Sequence, residues 1–220
     1  DRPDTFTSRS TLASAYQAAG RLDEAIPLFE QNLKDRTRIL GPHHPDTLTA
    51  RNNLANAYHD AGRLNEAIPL HEQNLKDRTR ILEPHHPDTL NSRNNLAGAY
   101  DDAGRLDDAI ELFEQNLKDF ENLLGPHHPH TLLSRNNLAT AYQAAGRLNE
   151  AITLYEQTLE DRTRILGPHH PHTLTARNNL ADAYRTAGRI EDAEKLFETP
   201  SDSENEQDGT EEDPDQEAGD

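Results

Sequence analysis

Apolar positions in this chain recur at steps of three and four rather than two. Leu48, Leu54, Ala55, Tyr58 and Ala61, with Arg51 among them, form one stripe, and the spacing predicts a helix that Gly62 interrupts. Leu64, Ala67, Ile68, His71, Leu75, Ile81 and Leu82 form a second stripe, and the predicted second helix stops at Glu83-Pro84. Asn65, with Asp23, Asp107 and Asn149 at the same place in other copies, is expected as the N-cap of the second helix. Pro27 and Pro69 are expected in its first turn, where a missing N–H costs no hydrogen bond. The segment Pro-His-His-Pro followed by Asp or His should stop one helix pair and launch the next. Residues before Pro disfavour helix, and Asp can cap.

The pattern repeats with one period. Asp4, Asp46, Asp88, His130 and His172 each open a 42-residue unit, and Gln31–Leu40 recurs letter for letter as Gln73–Leu82. The expected organisation is an array over residues 1–199, with units 4–45, 46–87, 88–129, 130–171 and a partial 172–199. An acidic disordered tail over 200–220 is expected to follow. A period of this length means stacked units, each burying its apolar face on its neighbours. The expected fold is all-α, a right-handed α-solenoid of stacked antiparallel helix pairs.

Leu-Ala-x2-Tyr holds in every copy, at Leu12/Ala13/Tyr16, Leu54/Ala55/Tyr58, Leu96/Ala97/Tyr100, Leu138/Ala139/Tyr142 and Leu180/Ala181/Tyr184. So do the turn glycines at 20, 62, 104, 146 and 188 and the alanines at 25, 67, 109, 151 and 193. These residues resemble the tetratricopeptide pattern, with Arg51 at the usual Trp position and eight extra residues per unit. With the HPDT and NNLA strings, the chain resembles the kinesin-light-chain type of tetratricopeptide array. That type also occurs in large bacterial signalling proteins beside NTPase modules, an association implied by resemblance only. The resemblance further implies that the first helix of each pair lines a concave groove.

Composition narrows function mainly by exclusion. The chain has no Cys, Met or Trp, which excludes disulfide scaffolds, zinc knuckles and cysteine catalysis and suits a cytoplasmic location. No stretch approaches the ~20 apolar residues of a membrane span. Net charge is −18, and the last twenty residues hold ten acids and no Lys or Arg. Nucleic acid and anionic membrane are therefore not expected as partners, since both call for clustered positive charge. The tail is too poor in apolar residues to fold alone. Because the first residue is Asp1 rather than Met, the chain is expected to be a piece of a longer protein.

Chemistry-bearing residues lie in rows. Near-identical units repeat a polar group one unit further along, whereas a catalytic site converges several different groups on one point. No phosphate loop, G-x-S-x-G or H-E-x-x-H is present, and the expectation is no enzyme and no cofactor. Ten of the twelve histidines sit in the linkers, at 43/44, 85/86, 127/128/130 and 169/170/172. Three nearby histidines suit zinc or nickel, but no carboxylate has metal-site spacing. They are expected as polar linker residues, some covering a helix start. His71 takes the packing slot of Phe29, Phe113, Tyr155 and Phe197. Arg9, Arg51, Arg93, Arg135 and Arg177 are expected to bury their stems and pair with acids of the second helix, such as Glu66 and Glu72. Glu30–Lys34, Glu72–Lys76 and Glu114–Lys118 should form i,i+4 pairs.

The Asn doublets 52-53, 94-95, 136-137 and 178-179 sit mid-helix, where each Asn costs roughly 0.6 kcal/mol against Ala. By resemblance, the first of each doublet faces the groove and the second the helix–helix seam. The first then either meets a peptide backbone or is satisfied by a neighbouring helix. The expected groove site is Asn52, Asn56, His59, Asn94, Asp101, Asn136, Gln143, Asn178, Asp182 and Arg185. Thr49, Asp60, Asn91, Asp102, Leu133 and Thr140 are further groove positions. With several Asp and a single Arg, this groove suits a neutral or basic segment.

Two functional readings remain open. One is a non-enzymatic scaffold binding an extended peptide of a protein partner. The other is a structural module that associates head to tail. In the second, Phe6 and part of the Leu12/Ala13/Tyr16 face should lack cover at one end, and the fifth unit breaks off after Leu196-Phe197. Such association should be weak, opposed by the acidic tail and strengthened by its removal.

Overall fold

The computed structural model describes residues 3–198, so the expected tail lies outside the described residues. Every described element is a helix. α1 (Pro3–Ala18) pairs with α2 (Leu22–Leu40), α3 (Pro45–Asp60) with α4 (Leu64–Leu82), and α5 (Pro87–Asp102) with α6 (Leu106–Leu124). α7 (Pro129–Ala144) pairs with α8 (Leu148–Leu166), and α9 (Pro171–Thr186) with α10 (Ile190–Lys195). Each helix packs on the helices before and after it in sequence, and α3 also touches α5. Such contacts are those of a solenoid in which stability is summed over neighbours.

The turn inside each pair explains two of the repeated residues. Gly62 has φ of 69°, its N–H donates to the His59 carbonyl (2.8 Å), and the next N–H, of Arg63, reaches back to the Tyr58 carbonyl (2.8 Å). This is a Schellman closure, which needs a left-handed residue and therefore Gly. The apolar contact that usually accompanies it is here a cation over a ring. The Arg63 guanidinium lies 4.5 Å from the Tyr58 ring centre, with Arg105 over Tyr100 (3.9 Å), Arg147 over Tyr142 (4.1 Å) and Arg189 over Tyr184 (4.3 Å). Each tyrosine hydroxyl then donates to a glutamate of the preceding pair: Tyr58 to Glu30 (2.6 Å), Tyr100 to Glu72 (2.7 Å), Tyr142 to Glu114 (2.6 Å) and Tyr184 to Glu156 (2.6 Å). Glu30, Glu72 and Glu114 were expected to meet lysines one turn on. No ion pair to Lys34, Lys76 or Lys118 forms among the described residues.

Three local expectations are corrected. Asn65 and its equivalents do not cap: Arg21, Arg63, Arg105 and Arg147 occupy the N-cap without a side-chain bond. The Schellman closure feeds straight into the next helix and leaves no extra residue to serve as a cap. Helix starts two residues earlier than that expectation allows, so Pro27 and Pro69 stand a turn and a half in, where each removes a main-chain bond. In the linkers the cap is His44, His86, His128 and His170 rather than Asp. Each ring Nδ1 accepts the N–H two residues on, at 3.1–3.2 Å. Pro at the first helical position completes these starts.

The stripe arginines are structural, as expected, but with a different acid. Arg9 reaches Asp35 (2.6 Å), Arg51 Asp77 (2.6 Å) and Arg135 Asp161 (2.9 Å), and Arg93 pairs with Asp119. Glu66 instead binds the turn residue Arg63. Arg51, Arg93, Arg135 and Arg177 also donate to the linker carbonyls of Pro42, Pro84, Pro126 and Pro168 (3.2–3.4 Å). The partner slot of Arg177 falls at position 203, outside the described residues. Burial pushes the Asp77 carboxyl up, but bonds from Gln73 and Arg51 outweigh it, and the net shift is downward. A carboxyl lowered by folding stabilises above its unfolded pKa of about 4 and loses that contribution as pH falls through its folded value. Asp77→Asn should therefore cost about 3 kcal/mol at pH 7, since it strands Arg51. Urea titrations at pH 7 and 3 should show the penalty shrinking in acid.

A second test concerns the linker. Glu83 adopts φ 77°, ψ 159°, where Gly41, Gly125 and Gly167 stand in other copies. That region is nearly closed to residues with a Cβ, at a cost of about 1–3 kcal/mol. Glu83→Gly should raise the thermal midpoint, a gain of about 1 kcal/mol or more measurable by circular dichroism melts.

Candidate peptide-binding groove

The two layers of helices are not equivalent. Among the described residues, side-chain bonds between like helices of successive pairs join only the odd-numbered ones. Gln17 donates to Asp60 (2.6 Å), Gln143 to Asp182 (2.9 Å), and His59 pairs with Asp102. The layer whose helices reach each other is the inner side of the curve, so α1, α3, α5, α7 and α9 line the concave face.

On this face the Asn doublets interlock. Asn95 Nδ2 donates to Asn52 Oδ1 (3.1 Å), Asn137 to Asn94 (2.9 Å) and Asn179 to Asn136 (3.0 Å). The second Asn of one unit thus fills the acceptor of the first Asn of the unit before. That offsets the poor helix propensity of both. It leaves the Nδ2 groups of Asn52, Asn94 and Asn136, on half-buried residues, without a hydrogen-bond partner among the described residues. Asn178 is exposed.

Several expected positions converge between α7 and α9. Thr140, Gln143, Asn178 and Asp182 line an open recess of about 550 Å³ together with Asn179 and Thr186. Its floor is Tyr155 of α8, whose hydroxyl lies 2.9 Å from Thr140 Oγ1. Burial raises the Tyr155 pKa, so the hydroxyl stays protonated. Asn56 and Asp101 are half-buried on α3 and α5, and Arg185 is exposed near the end of α9, outside this recess. Asp101 carries its carboxyl above the ordinary range, through burial and then the charge of Asp102, and its Oδ1 is buried without a partner. Leu133 lies apart from that recess, in a pocket with Pro129, His130, Ile165 and Leu166 at the linker edge.

Tyr155 was missed by sequence reasoning, because second-helix positions were assigned to packing alone. The signal was present in the slot it occupies, Phe29, His71, Phe113 and Tyr155, whose polarity varies from copy to copy. His71 fills this slot as expected and is 1% exposed, yet neither ring nitrogen has a partner. Burial and then the nearby His59 push its pKa down to about 4. A histidine lowered by folding stabilises fully above its unfolded pKa of 6.5, and that contribution is lost as pH falls from 6.5 toward 4. His71→Phe, matching Phe29 and Phe113, should raise stability by about 1–3 kcal/mol at pH 7. It should also flatten the pH 6.5–4 part of the stability curve, read by urea titration at each pH.

Among the described residues no group of three His, Asp or Glu could hold a metal ion, and no helix is long and apolar enough to cross a membrane. The architecture is that of an α-solenoid built from helix pairs. The tetratricopeptide repeat family matches over residues 4–76, 50–118, 102–162 and 134–199, and the chain belongs to that family. Members are in general scaffolds for protein–protein interaction. A candidate kinesin light chain of Podosopora anserina with nearly identical TPR-like repeats is 35% identical, covering 89% of this chain and 92% of that one at a TM-score of 0.81. BtubC (BKLC) from P. vanneervenii shares the fold at 22% identity and a TM-score of 0.74, covering 96% of this chain and 84% of that one. A Rap protein complexed with competence and sporulation factor shares it at 12% and 0.69, covering 87% and 51%. No curated protein matches the chain.

Proposed function

We propose that this chain is a non-enzymatic scaffold that holds an extended, neutral or basic peptide segment of a partner protein along its concave face. The observation that carries this reading is the half-used amide ladder. Three successive Asn side chains spend their acceptor on a neighbouring helix and present their N–H donors, one unit apart, to an open groove. Extended peptide carbonyls are suitable acceptors for such a row. Asp60, Asp101, Asp102 and Asp182 against Arg185 set the sign of the groove and disfavour an acidic segment.

A displayed random-peptide screen on the full chain supplies a ligand. Replacing Asn52, Asn94, Asn136 and Asn178 by Ala should then keep helix content and weaken that ligand at least tenfold, roughly 1.4 kcal/mol. Unchanged affinity would return the ladder to a purely architectural role, as would unfolding of the variant.

The second reading, head-to-tail association, is favoured by one observation. Leu12 is 47% exposed, whereas Leu54, Leu96, Leu138 and Leu180 are 2–5% exposed against the preceding pair. Phe6, expected to be uncovered as well, is instead buried, with the Arg36 guanidinium 5.9 Å from its ring centre. At the other end, Phe197 is 48% exposed where Tyr155 is buried. Light scattering across a concentration series should show mass growth in the 220-residue chain that Leu12→Glu suppresses. A constant monomer mass up to the order of 1 mM would remove this reading.

A further inference from the structure

Two residues that each cost stability occupy the repeat positions that, two units on, share one recess of the groove. His71 on α4 is buried with two unpartnered ring nitrogens. Gly98 stands in the middle of α5, where Gly is unfavourable by roughly 1 kcal/mol against Ala. The repeat relates them. His71 is the second-unit equivalent of Tyr155, and Gly98 bears the same relation to it that Asp182 bears to Tyr155, in the recess both residues line. Other copies put Asn56, Thr140 or Asp182 at the Gly98 position. A Cβ added to Gly98 would meet no heavy atom within 4 Å, so no neighbouring atom forbids a side chain there. Local rules broken together, with no packing reason, mark a site with another use.

The surroundings give the space a sign. Asp101 and Asp102 follow Gly98 at three and four residues and so share its face of α5. The Asp101 Oδ1 is buried without a partner, while Asp102 meets His59 of α3. No Lys or Arg bonds to this group among the described residues. A buried neutral imidazole accepts one hydrogen bond, and the unanswered carboxylate calls for a cation.

We propose that the gap above Gly98 is a specificity pocket for one lysine or arginine side chain of the bound segment, with a His71 ring nitrogen accepting its N–H and Asp101 supplying the counter-charge. This rests on the groove reading above and names the residue type the groove selects. Phenylalanine at position 71, as at Phe29 and Phe113, packs but cannot accept, and a side chain at position 98 occupies the space.

A side-chain probe separates this pocket from peptide capture. N-acetyl-lysine N-methylamide is titrated into the full chain at pH 7, with the His71 ring nitrogens followed by long-range proton–nitrogen correlation. A saturable shift is expected, at least tenfold weaker for the norleucine analogue and for Gly98→Thr. His71→Phe, which puts in this slot the ring that Phe29 and Phe113 place there, should remove the discrimination between lysine and norleucine versions of a captured peptide. Absence of a saturable shift to 50 mM, equal response to norleucine, or an unaltered response in Gly98→Thr would each overturn the pocket. These failures leave the Asn-to-Ala result untouched. A surviving lysine shift alongside unchanged peptide affinity in the Asn variants would support the pocket and count against the ladder.

Discussion

The hydroxyl of one tyrosine per unit, held out by the arginine stacked on its ring, ties each helix pair to the pair before it. Burial first, and the bond to glutamate second, push the pKa of Tyr58, Tyr100, Tyr142 and Tyr184 up to about 12, so each remains a donor at any physiological pH. The arginine that covers the ring is supplied by the Schellman turn, and that turn exists because glycine follows the first helix. Glycine, arginine, tyrosine and glutamate are thus one device, and its recurrence sets the stacking distance. The Arg–Asp pair inside each unit does the complementary task. Arg51 fastens Asp77 of the second helix and the Pro42 carbonyl of the linker at once.

Much of this was legible in the residues. Exact repetition dictated a solenoid, and the three- and four-residue steps placed both helices of each unit. What escaped was which polar group meets which. Capping by His44 rather than Asp46 depends on ring geometry that no spacing reveals. Asp77 rather than Glu66 meets Arg51 because α3 and α4 run antiparallel: Arg51, in the first half of α3, lies beside the far end of α4, whereas Glu66 sits at the turn end beside Arg63. The Asn doublets were legible as an anomaly but not as a ladder, since a bond between Asn52 and Asn95 spans forty-three residues.

The slot shared by Phe29, His71, Phe113 and Tyr155 shows how an array of near-identical units acquires difference. Phe29 and Phe113 are closed apolar fillers, Tyr155 reaches the groove with a hydroxyl, and His71 carries two buried nitrogens without a partner. Each substitution keeps a flat ring in the slot and changes the polarity offered to the concave side. Packing and groove chemistry are therefore carried by opposite ends of the same side chain.

The amide ladder and its companions, Gln17–Asp60, His59–Asp102 and Gln143–Asp182, run along one side of the array only. Mechanically they resemble a strap along the inside of a bow. Tightening the curve leaves the strap slack, whereas straightening it stretches every rung. The outer helices carry no such rungs among the described residues and can shear past one another on side chains that repack. Resistance to bending is thus directional, and a straightening load is spread over rungs spaced one unit apart.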